Sequence, residues 1–493
     1  MTARVAIIGG GISGLAALEH LTRVAPSVQV TLLESSARLG GHIRSERSGD
    51  FLMEAGPDVI LAAKPAAVEL ARRVGLGDRL HGTNPQVKGS YILSGTTLRR
   101  MPDGLTGLVP SRFAPFATTP LVSPLGKLRV GMEYFIPARR HAPDESIESF
   151  VTRRLGREMY ERLVEPLLSG ISAGDGAKLS MEAMFPQLRA YEREHGGLVR
   201  GMLAAKKKQR GSAGAGAAGA PSAFGFLSLP GGLGELVAGI EREVRRREPT
   251  GTRVVIRTGA RVERVERAAA VGGEAPEYVI TLANGERLTV DAVILATPAY
   301  LSAALVRPVD EELSAALRGI EYASTVTISV AYPARDVPRA LDATGYVVPR
   351  ILQRPVLACT WVSSKFEGRS PAGHALFRLF LGGAGRGSFV ESSEDELSGI
   401  VRREMREVMG ITAEPELVQV NRFDRAMPQY HVGHLERVAR IQAQAARSPG
   451  LAVAGAAFGG VGIPDCVRSG ERTAAAVVEV LAARFPSEFR STT

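Results

Sequence analysis

Three glycines near the amino terminus, spaced as Gly9-x-Gly11-x-x-Gly14, restrict what this chain can fold into. They follow a short apolar run of β type at 4–9 and precede a segment with helical spacing at 13–24. Strand character returns at 28–33, so the pattern predicts a βαβ unit. In such a unit the glycines allow a tight turn, a close approach of phosphate to the backbone, and packing of helix on strand. The predicted phosphate-binding turn comprises Gly9, Gly10, Gly11, Ile12, Ser13 and Gly14.

An acidic residue stands at the end of the second predicted strand. Glu34 lies at the place where a carboxylate can bind the ribose hydroxyls of an adenosine. A second glycine pair, Gly40 and Gly41, follows directly and precedes His42. This order is typical of glucose–methanol–choline and amine-oxidase-like flavoproteins and is unusual in NAD dehydrogenases. The pattern therefore favours FAD as the dinucleotide.

A further glycine-rich run lies near the carboxyl end of the chain. Gly455 ends a strand-like segment, and Gly459-Gly460-Val461-Gly462-Ile463 then opens the last predicted helix. Amides at the start of a helix suit flavin phosphate or ring oxygens. Ala296-Thr297-Pro298, at the end of another strand, fits the same kind of fold. Both ends of the chain are thus predicted to clamp one long cofactor.

The middle of the chain predicts inserted units. Residues 127–205 are mostly helical in pattern, 318–382 hold several strand-like runs typical of a larger mixed sheet, and 101–126 predict irregular structure. Residues 206–223 are of low complexity and predict a flexible loop.

Composition excludes several classes of protein. A chain of 493 residues with 45% hydrophobic and 23% charged residues is ordinary globular material and allows more than one domain. Its two cysteines cannot build a disulfide framework or a four-cysteine zinc site, and they favour a reducing, cytoplasmic setting. The sequence contains no run of 18 apolar residues, so no membrane-spanning helix is predicted. The net charge of +10 fits an acidic ligand, an anionic membrane surface or plain surface charge. Nucleic acid is excluded because no recognition motif accompanies the basic residues.

Two further groups suggest chemistry but favour a structural role. His431 and His434 have a spacing seen in metal sites, yet they stand in a Pro-Gln-Tyr turn and are interpreted as structural hydrogen-bonding residues, so no metal is predicted. Cys466 follows the last glycine run, but its context differs from that of cysteines that carry flavin covalently. The predicted FAD is therefore non-covalent.

Four motifs, spread almost from end to end, make the chain resemble the FAD-dependent porphyrinogen oxidases, specifically the Gram-positive type that acts on coproporphyrinogen III. The motifs are Glu54-Ala55-Gly56-Pro57-Asp58, Glu165-Pro166-Leu167-Leu168-Ser169-Gly170-Ile171-Ser172-Ala173-Gly174-Asp175, Met427-Pro428-Gln429-Tyr430-His431-Val432-Gly433-His434 and Gly460-Val461-Gly462-Ile463-Pro464-Asp465-Cys466. Protoporphyrinogen oxidases are close relatives, so the exact substrate stays open at this point.

The resemblance implies an α/β fold: a Rossmann-like FAD domain of the amine-oxidase and p-hydroxybenzoate-hydroxylase type, with an inserted mixed-sheet substrate domain and a helical domain. The implied segments are 1–85, 211–305 and 421–493 for the FAD domain, 86–110 and 306–420 for the substrate domain, and 111–210 for a helical domain that in relatives can touch membrane.

The resemblance also implies a reaction in haem biosynthesis. FAD accepts hydride from the porphyrinogen and O2 reoxidises it to give hydrogen peroxide, in three rounds. The alternatives are a protoporphyrinogen oxidase, an amine-oxidase-like enzyme and a non-catalytic flavin-binding partner of a haem-pathway enzyme. At most peripheral membrane contact at the inner face is implied, and monomer and homodimer both stay open.

Site residues follow by position from the same resemblance. The backbone of Gly174 is implied to steer the pyrrole N–H and methylene, and Lys64 to bind a propionate. The implied FAD contacts are Gly9, Gly10, Gly11, Ile12, Ser13, Gly14, Glu34, Ser35, Arg38, Gly41, His42, Gly56, Pro57, Asp58, Val59, Val262, Phe423, Gly455, Gly460, Val461, Gly462 and Ile463.

Three positions depart from the family pattern. His42 stands where Lys or Arg is frequent, so a phosphate contact there is expected to be weaker or pH-dependent. Phe423 stands where Trp is frequent and can pack on a flavin without donating an N–H. Ser90 stands where protoporphyrinogen-type relatives often have Arg, which favours coproporphyrinogen.

Overall fold

A computed structural model of the protein describes residues 2–103, 105–106, 109–110, 113–212, 225–247, 253–268 and 278–489. The strands are β1 (Arg4–Ile8), β2 (Gln29–Leu33), β3 (Ser45–Ser48), β4 (Phe51–Glu54), β5 (Ile60–Leu61), β6 (His81–Gly82), β7 (Tyr91–Ser94), β8 (Thr97–Arg100), β9 (Leu105–Thr106), β10 (Val109–Pro110), β11 (Phe226–Ser228), β12 (Val254–Arg257), β13 (Val262–Arg267), β14 (Tyr278–Leu282), β15 (Arg287–Val290), β16 (Ala292–Leu295), β17 (Tyr322–Pro333), β18 (Gly345–Val347), β19 (Val356–Trp361), β20 (His374–Gly382), β21 (Leu417–Pro428) and β22 (Leu451–Val453).

Short 3-10 turns lie at Gly77–Arg79, Met132–Phe135, Ala334–Asp336 and Arg350–Leu352, and π-type turns lie at Tyr160–Val164 and Met405–Met409. The α-helices are α1 (Ile12–Val24), α2 (Ala66–Arg73), α3 (Phe113–Thr118), α4 (Pro124–Gly131), α5 (Ile147–Leu155), α6 (Arg157–Met159), α7 (Glu165–Ser172), α8 (Met181–Met184), α9 (Pro186–His195), α10 (Leu198–Ser212), α11 (Gly234–Arg247), α12 (Ala299–Val306), α13 (Glu311–Arg318), α14 (Val362–Lys365), α15 (Glu394–Glu404), α16 (His434–Ala446), α17 (Ile463–Arg484) and α18 (Pro486–Phe489).

A parallel sheet in the order β12-β2-β1-β16-β22 joins the two ends of the chain. Both faces of this sheet are covered, as an all-parallel sheet requires. Val5 and Ile7 face a core shared with α1, α11 and α17, whereas Ala6 and Ile8 face a second core shared with α12, α13 and α16. The parallel pairing of β1 with β2, which α1 connects, confirms the predicted βαβ unit and places the first glycine turn at the carboxyl edge of β1.

A second, mixed sheet has the order β21-β17-β20-β19-β18-β7-β8. Within it β18 pairs in parallel with β7, and the other pairs are antiparallel. The pattern at 318–382 had predicted this mixed sheet. β21 continues the sheet to Pro428, so the sheet includes residues on both sides of the predicted boundary at 420/421.

Helices α3 to α10 pack around a separate apolar core that contains Phe150, Leu163 and Leu168. Irregular structure at 101–126 was a wrong expectation, because α3 and the start of α4 lie there; Ser123 caps α4 by accepting from Gly126 N. The flexible loop predicted at 206–223 is wrong for residues 206–212, because α10 continues to Ser212. The remaining part, 213–223, lies outside the described residues.

Candidate active site

The first glycine turn leaves open space at one position. Gly9 has a φ of +108°, and a Cβ there would lie 2.7 Å from the carbonyl oxygen of Ala296. A Cβ on Gly14 would lie 2.0 Å from the carbonyl oxygen of Gly9, so only glycine fits where α1 meets β1. Gly11 differs, since apart from its own atoms and those of its two chain neighbours no atom of the described residues lies within 4 Å of the place of its Cβ. That space faces the start of α1, where free N–H groups and the helix dipole favour a phosphate.

The Glu34 carboxylate faces the same turn. Its Oε2 accepts from Gly10 N at 2.7 Å, and its Oε1 accepts from Ser36 N at 2.7 Å and from the Ser35 hydroxyl at 3.3 Å. A carboxylate has about four acceptor sites, so it can also take a ribose hydroxyl. Val262 starts β13 close by, because Ala260 N donates to Glu34 O at 2.8 Å. The structure therefore brings Glu34 and the Val262 segment together, as one adenosine-binding end would require.

Arg38 shapes the second glycine pair with its guanidinium. It donates to the carbonyl oxygens of Leu39 at 3.1 Å and of Gly41 at 2.6 Å. His42, which follows, stands edge-on to Phe423, with 5.6 Å between ring centroids. Desolvation is the main cause that lowers the pKa of His42, and the positive charge of Arg38 lowers it further. The ring is therefore neutral near pH 7. The sequence positions predicted to flank one cofactor thus lie side by side.

Residues Gly56 to Asp58 are fixed between the two sheets. A Cβ on Gly56 would lie 2.1 Å from the carbonyl oxygen of His42. Arg378 donates to the carbonyl oxygen of Gly56 at 2.8 Å, and the Asp58 carboxylate pairs with Lys365 at 2.7 Å and with Arg378 at 3.3 Å. Burial opposes the charge of Asp58, but the two cations outweigh it and hold its pKa well below the usual range. The side chain of Asp58 therefore joins this turn to the mixed sheet.

Asp58→Asn is expected to lower the free energy of unfolding by about 1.5–3 kcal/mol at pH 7, because it removes a charged partner from two buried cations. The pKa of Asp58 is depressed far below its usual range in the folded protein. Its contribution is therefore complete above the ordinary carboxyl pKa of about 4 and is lost progressively as the pH falls from there toward the depressed pKa. Chemical denaturation at pH 7 and pH 2.5 measures this loss. Exposed Asp50→Asn is the control, and a Asp58→Asn effect that is equal at both pH values contradicts the assignment.

The carboxyl-terminal glycine run ends against the first turn. Gly462 precedes α17, and a Cβ on Gly470 within α17 would lie 2.1 Å from the carbonyl oxygen of Ser13. Helix α17 therefore crosses α1 in direct backbone contact, and the two glycine turns share one edge of the parallel sheet. Around Gly455 and Gly459 no atom of the described residues lies within 4 Å of the place of a Cβ.

Cys466 faces inward at the start of α17. Its thiol contacts the carbonyl oxygens of Gly460 at 3.8 Å and Val461 at 3.9 Å. Burial raises the pKa of this thiol to about 12, so it is protonated at neutral pH. A thiol in this state is a weak nucleophile toward a flavin ring.

His434 stacks on Tyr430, with ring centroids 4.0 Å apart, and His431 lies 3.5 Å from Glu321. The pKa of His434 is lowered to about 4, mainly by burial and to a smaller extent by the positive charge of Arg437. Among the described residues, no group of three or more His, Cys, Asp or Glu side chains is placed to hold a metal ion.

Lys64 reaches the carboxyl-terminal turn. Its Nζ lies 2.5 Å from the buried Asp465 carboxylate, which also pairs with Arg468 at 2.6 Å. The Lys64 side chain is 45% exposed, so the remaining ammonium protons can reach a second acceptor. The propionate role of Lys64 stays a prediction.

Gly174 lies in a tight turn after α7. Ala173 takes a left-handed conformation with a φ of +49°, and a Cβ on Gly174 would lie 2.4 Å from Leu179 Cδ1 and 2.9 Å from Gln429 Oε1. Arg350 donates to the carbonyl oxygen of Gly174 at 3.4 Å and pairs with buried Glu165. This turn is therefore closely packed and held by polar side chains.

Two residues that sequence reasoning did not assign to the site connect its parts. Gln429 Nε2 donates to the carbonyl oxygen of Ser172 at 3.3 Å, beside the Gly174 turn. The hydroxyl of Tyr430, the next residue, donates to the carbonyl oxygen of Ala456 and accepts from Gly460 N at 2.8 Å. The only signal for either was their place in the Pro-Gln-Tyr motif.

The geometry fits a flavin dinucleotide: open space at Gly11 before one helix, a second open glycine turn before another, and a carboxylate at the far end of β2. The family model for flavin-containing amine oxidoreductases matches residues 12–478, and the chain belongs to this family, whose members use a flavin.

Three comparisons narrow the relationship. The chain is 35% identical over 488 residues to the coproporphyrinogen III oxidase of Bacillus subtilis (strain 168), covering 98% of each chain. It is 28% identical to protoporphyrinogen oxidase 1, chloroplastic, of Arabidopsis thaliana, covering 96% of this chain and 88% of that one. Among solved structures, a candidate protoporphyrinogen oxidase from Exiguobacterium sp. 255-15 superposes with a TM-score of 0.81 at 30% identity, covering 99% of both chains.

Proposed function

We propose that this protein oxidises coproporphyrinogen III to coproporphyrin III in haem biosynthesis, with non-covalently bound FAD and with O2 as final acceptor. Three two-electron oxidations remove six hydrogens from the macrocycle and reduce three O2 to three hydrogen peroxide. The observation that supports this choice of substrate is full-length similarity to three coproporphyrinogen III oxidases at 34–35% identity. The identity to the protoporphyrinogen oxidase of Arabidopsis thaliana is lower, at 28%.

Bound FAD would supply the hydride acceptor. In support, the Gly11 space and Glu34 suit its pyrophosphate and ribose, and the inward, protonated thiol of Cys466 favours non-covalent binding. The chain's own task is to position the macrocycle and exclude water, because hydride transfer needs a near-attack distance of roughly 3–3.5 Å. Val347 and Val461 pack on the same apolar core as Leu168 and can keep the space near the glycine turn dry. Gly174 is the proposed contact for the pyrrole edge.

The experiment is a direct comparison of two substrates. The purified protein should show a flavin absorption spectrum and release FAD on denaturation. Porphyrin fluorescence should rise with coproporphyrinogen III and more slowly with protoporphyrinogen IX. A colourless protein, or no rise with either substrate, would reject the proposal. Faster oxidation of protoporphyrinogen IX would reject only the choice of substrate and would favour the alternative, a protoporphyrinogen oxidase.

Lys64→Met is expected to raise KM for coproporphyrinogen III roughly 2- to 5-fold, which corresponds to the loss of about 0.4–1 kcal/mol from one partly exposed charge contact. The reason is the proposed contact of Lys64 with a propionate at the edge of the site. Flavin content should not change. Steady-state kinetics at fixed ionic strength measures the effect.

Arg468→Met is the matched control, because Arg468 is the other cation on Asp465. If both variants raise KM equally, the effect comes from the unbalanced Asp465 carboxylate and the propionate role is wrong.

We also propose peripheral contact of the helical region with an anionic membrane surface. No helix in the described ranges is long and apolar enough to cross a membrane. An apolar face formed by Leu125, Leu128, Met132 and Phe135 is nevertheless exposed, with Leu125 and Phe135 each 79% accessible and Lys127 between them in sequence. Apolar groups flanked by cations suit the interface of an anionic bilayer.

Co-sedimentation with vesicles tests this contact. The protein is expected to bind phosphatidylglycerol vesicles more than phosphatidylcholine vesicles, and Leu128→Glu should reduce binding severalfold because it places a charge in the apolar face. Equal recovery of both proteins in the supernatant with both lipids would contradict the contact.

A further inference from the structure

Gln429 carries a buried hydrogen-bond acceptor to which none of the described residues donates. Its Nε2 donates to the carbonyl oxygens of Ser172 at 3.3 Å and Met427 at 3.1 Å. Carbonyl oxygens only accept, so these two bonds fix the orientation of the amide. Its Oε1 must then point the other way, and it has no hydrogen-bond partner among the described residues. Gln429 is 3% exposed, and an unpaired buried amide oxygen is costly to a folded protein.

The oxygen oriented in this way lies against Gly174. A Cβ on Gly174 would lie 2.9 Å from Gln429 Oε1, so the acceptor faces the side on which Gly174 has no side chain. Gln429 is also tied to the other part of the site, because Tyr430, the next residue, binds Gly460 N at 2.8 Å. Gln429 and Tyr430 thus form one short segment that contacts both the proposed substrate turn and the carboxyl-terminal glycine turn.

We infer that Gln429 Oε1 accepts a hydrogen bond from a pyrrole N–H of the substrate. The inference rests on the proposed function, since a porphyrinogen brings four pyrrole N–H donors and an amide oxygen is a matching acceptor. Gln429 would act as a substrate-positioning residue. Because its backbone continues into Tyr430, the acceptor would set where the macrocycle lies relative to the glycine turn at Gly460.

Two substitutions separate this role from a purely structural one. Gln429→Met has a similar volume and removes both the acceptor and the donors. In Gln429→Glu, burial raises the pKa of the new carboxyl group, and its protonated form keeps one acceptor and one donor. This variant should therefore keep substrate affinity at low pH and lose it as the pH rises through the raised pKa.

The test uses the holoenzyme with matched flavin content and measures KM and kcat for coproporphyrinogen III from pH 6 to pH 9. Gln429→Met is expected to raise KM roughly 5- to 150-fold, the range for an unpaired buried group. Gln429→Glu should remain within about threefold of the wild type at pH 6 and approach the Met variant at pH 9. Gln419→Met, half-buried on the same strand β21, is the control and should leave KM unchanged.

Three outcomes would overturn the inference. One is a Gln429→Met enzyme with full flavin and a KM within twofold of the wild type. The second is a Gln429→Glu enzyme whose KM is raised equally at every pH, which indicates a structural role; this variant carries the test if the Met variant does not fold. The third is a wild type inactive on both porphyrinogens, which rejects the proposed function as well. An active wild type with an unaffected Met variant rejects the Gln429 role alone.

Discussion

Gly11→Ala is expected to give a folded protein that binds FAD roughly 5- to 150-fold more weakly, the equivalent of about 1–3 kcal/mol of overpacking. The backbone of Gly11 has an ordinary φ of −70°, and none of the described residues has an atom within 4 Å of a Cβ placed there. The methyl group would therefore disturb no protein contact, but it would occupy the space proposed for the pyrophosphate. Gly11→Asp should weaken binding further, because its charge repels phosphate.

The measurements are the flavin-to-protein ratio after purification, the Kd of the apoprotein for added FAD, and the Tm of the apoprotein. Gly131→Ala is the matched control: Gly131 ends α4, and the described residues again leave open space at its Cβ. It should change none of these three quantities appreciably. Gly14→Ala is the opposite case, since its Cβ would lie 2.0 Å from the carbonyl oxygen of Gly9 and should disrupt folding. A Gly11→Ala protein with full flavin would contradict the placement of the pyrophosphate.

The first turn was predictable because its signals are local. Alternation of apolar residues defines β1, the helical spacing defines α1, and the spacing of three glycines defines the turn between them. These signals lie in residues close together in sequence, and at Gly9 and Gly14 the close packing admits only glycine. The mixed sheet was predictable for the same reason, since runs of β-branched and aromatic residues indicate strands without indicating their partners.

The connections between distant segments were not predictable. Its sequence position predicts Asp58 as a cofactor contact, whereas in the structure its side chain pairs with Lys365, 307 residues away. Lys64 pairs with Asp465 across 401 residues. No periodicity or turn rule specifies which carboxylate meets which cation, because such pairs depend on how whole sheets and helices pack. Gln429 was missed for this reason too, because only the fold shows that its amide oxygen has no donor in the part of the chain that the structure describes.

Gly174→Ala is expected to lower kcat/KM for coproporphyrinogen III about 100-fold while the enzyme keeps its flavin. A Cβ at this position would lie 2.4 Å from Leu179 Cδ1, 2.9 Å from Gln429 Oε1 and 3.0 Å from Ser172 Oγ. The turn must then shift, and a displacement of about 1 Å at a reacting centre costs roughly 100-fold in rate. The flavin should be retained because the glycines proposed to bind its phosphates lie on other segments. Steady-state kinetics, with the flavin-to-protein ratio measured on the same sample, tests this expectation.

Gly170→Ala provides the matched control, four residues earlier in α7. Its Cβ would meet Val347 Cγ1 at 3.4 Å, an ordinary contact, and alanine favours a helix over glycine. It should remain within about twofold of the wild type, since a surface-like change of a few tenths of a kcal/mol has little effect. If Gly170→Ala loses as much activity as Gly174→Ala, any added methyl group in α7 or in the turn after it lowers activity, and Gly174 has no special role. If Gly174→Ala keeps its activity, the porphyrinogen does not lie against this turn. Gly11→Ala should also lose activity, but because it loses flavin, so added FAD should restore its activity. Added FAD should not restore the activity of Gly174→Ala. Comparison of these two variants therefore separates failure of the cofactor site from failure of the substrate site.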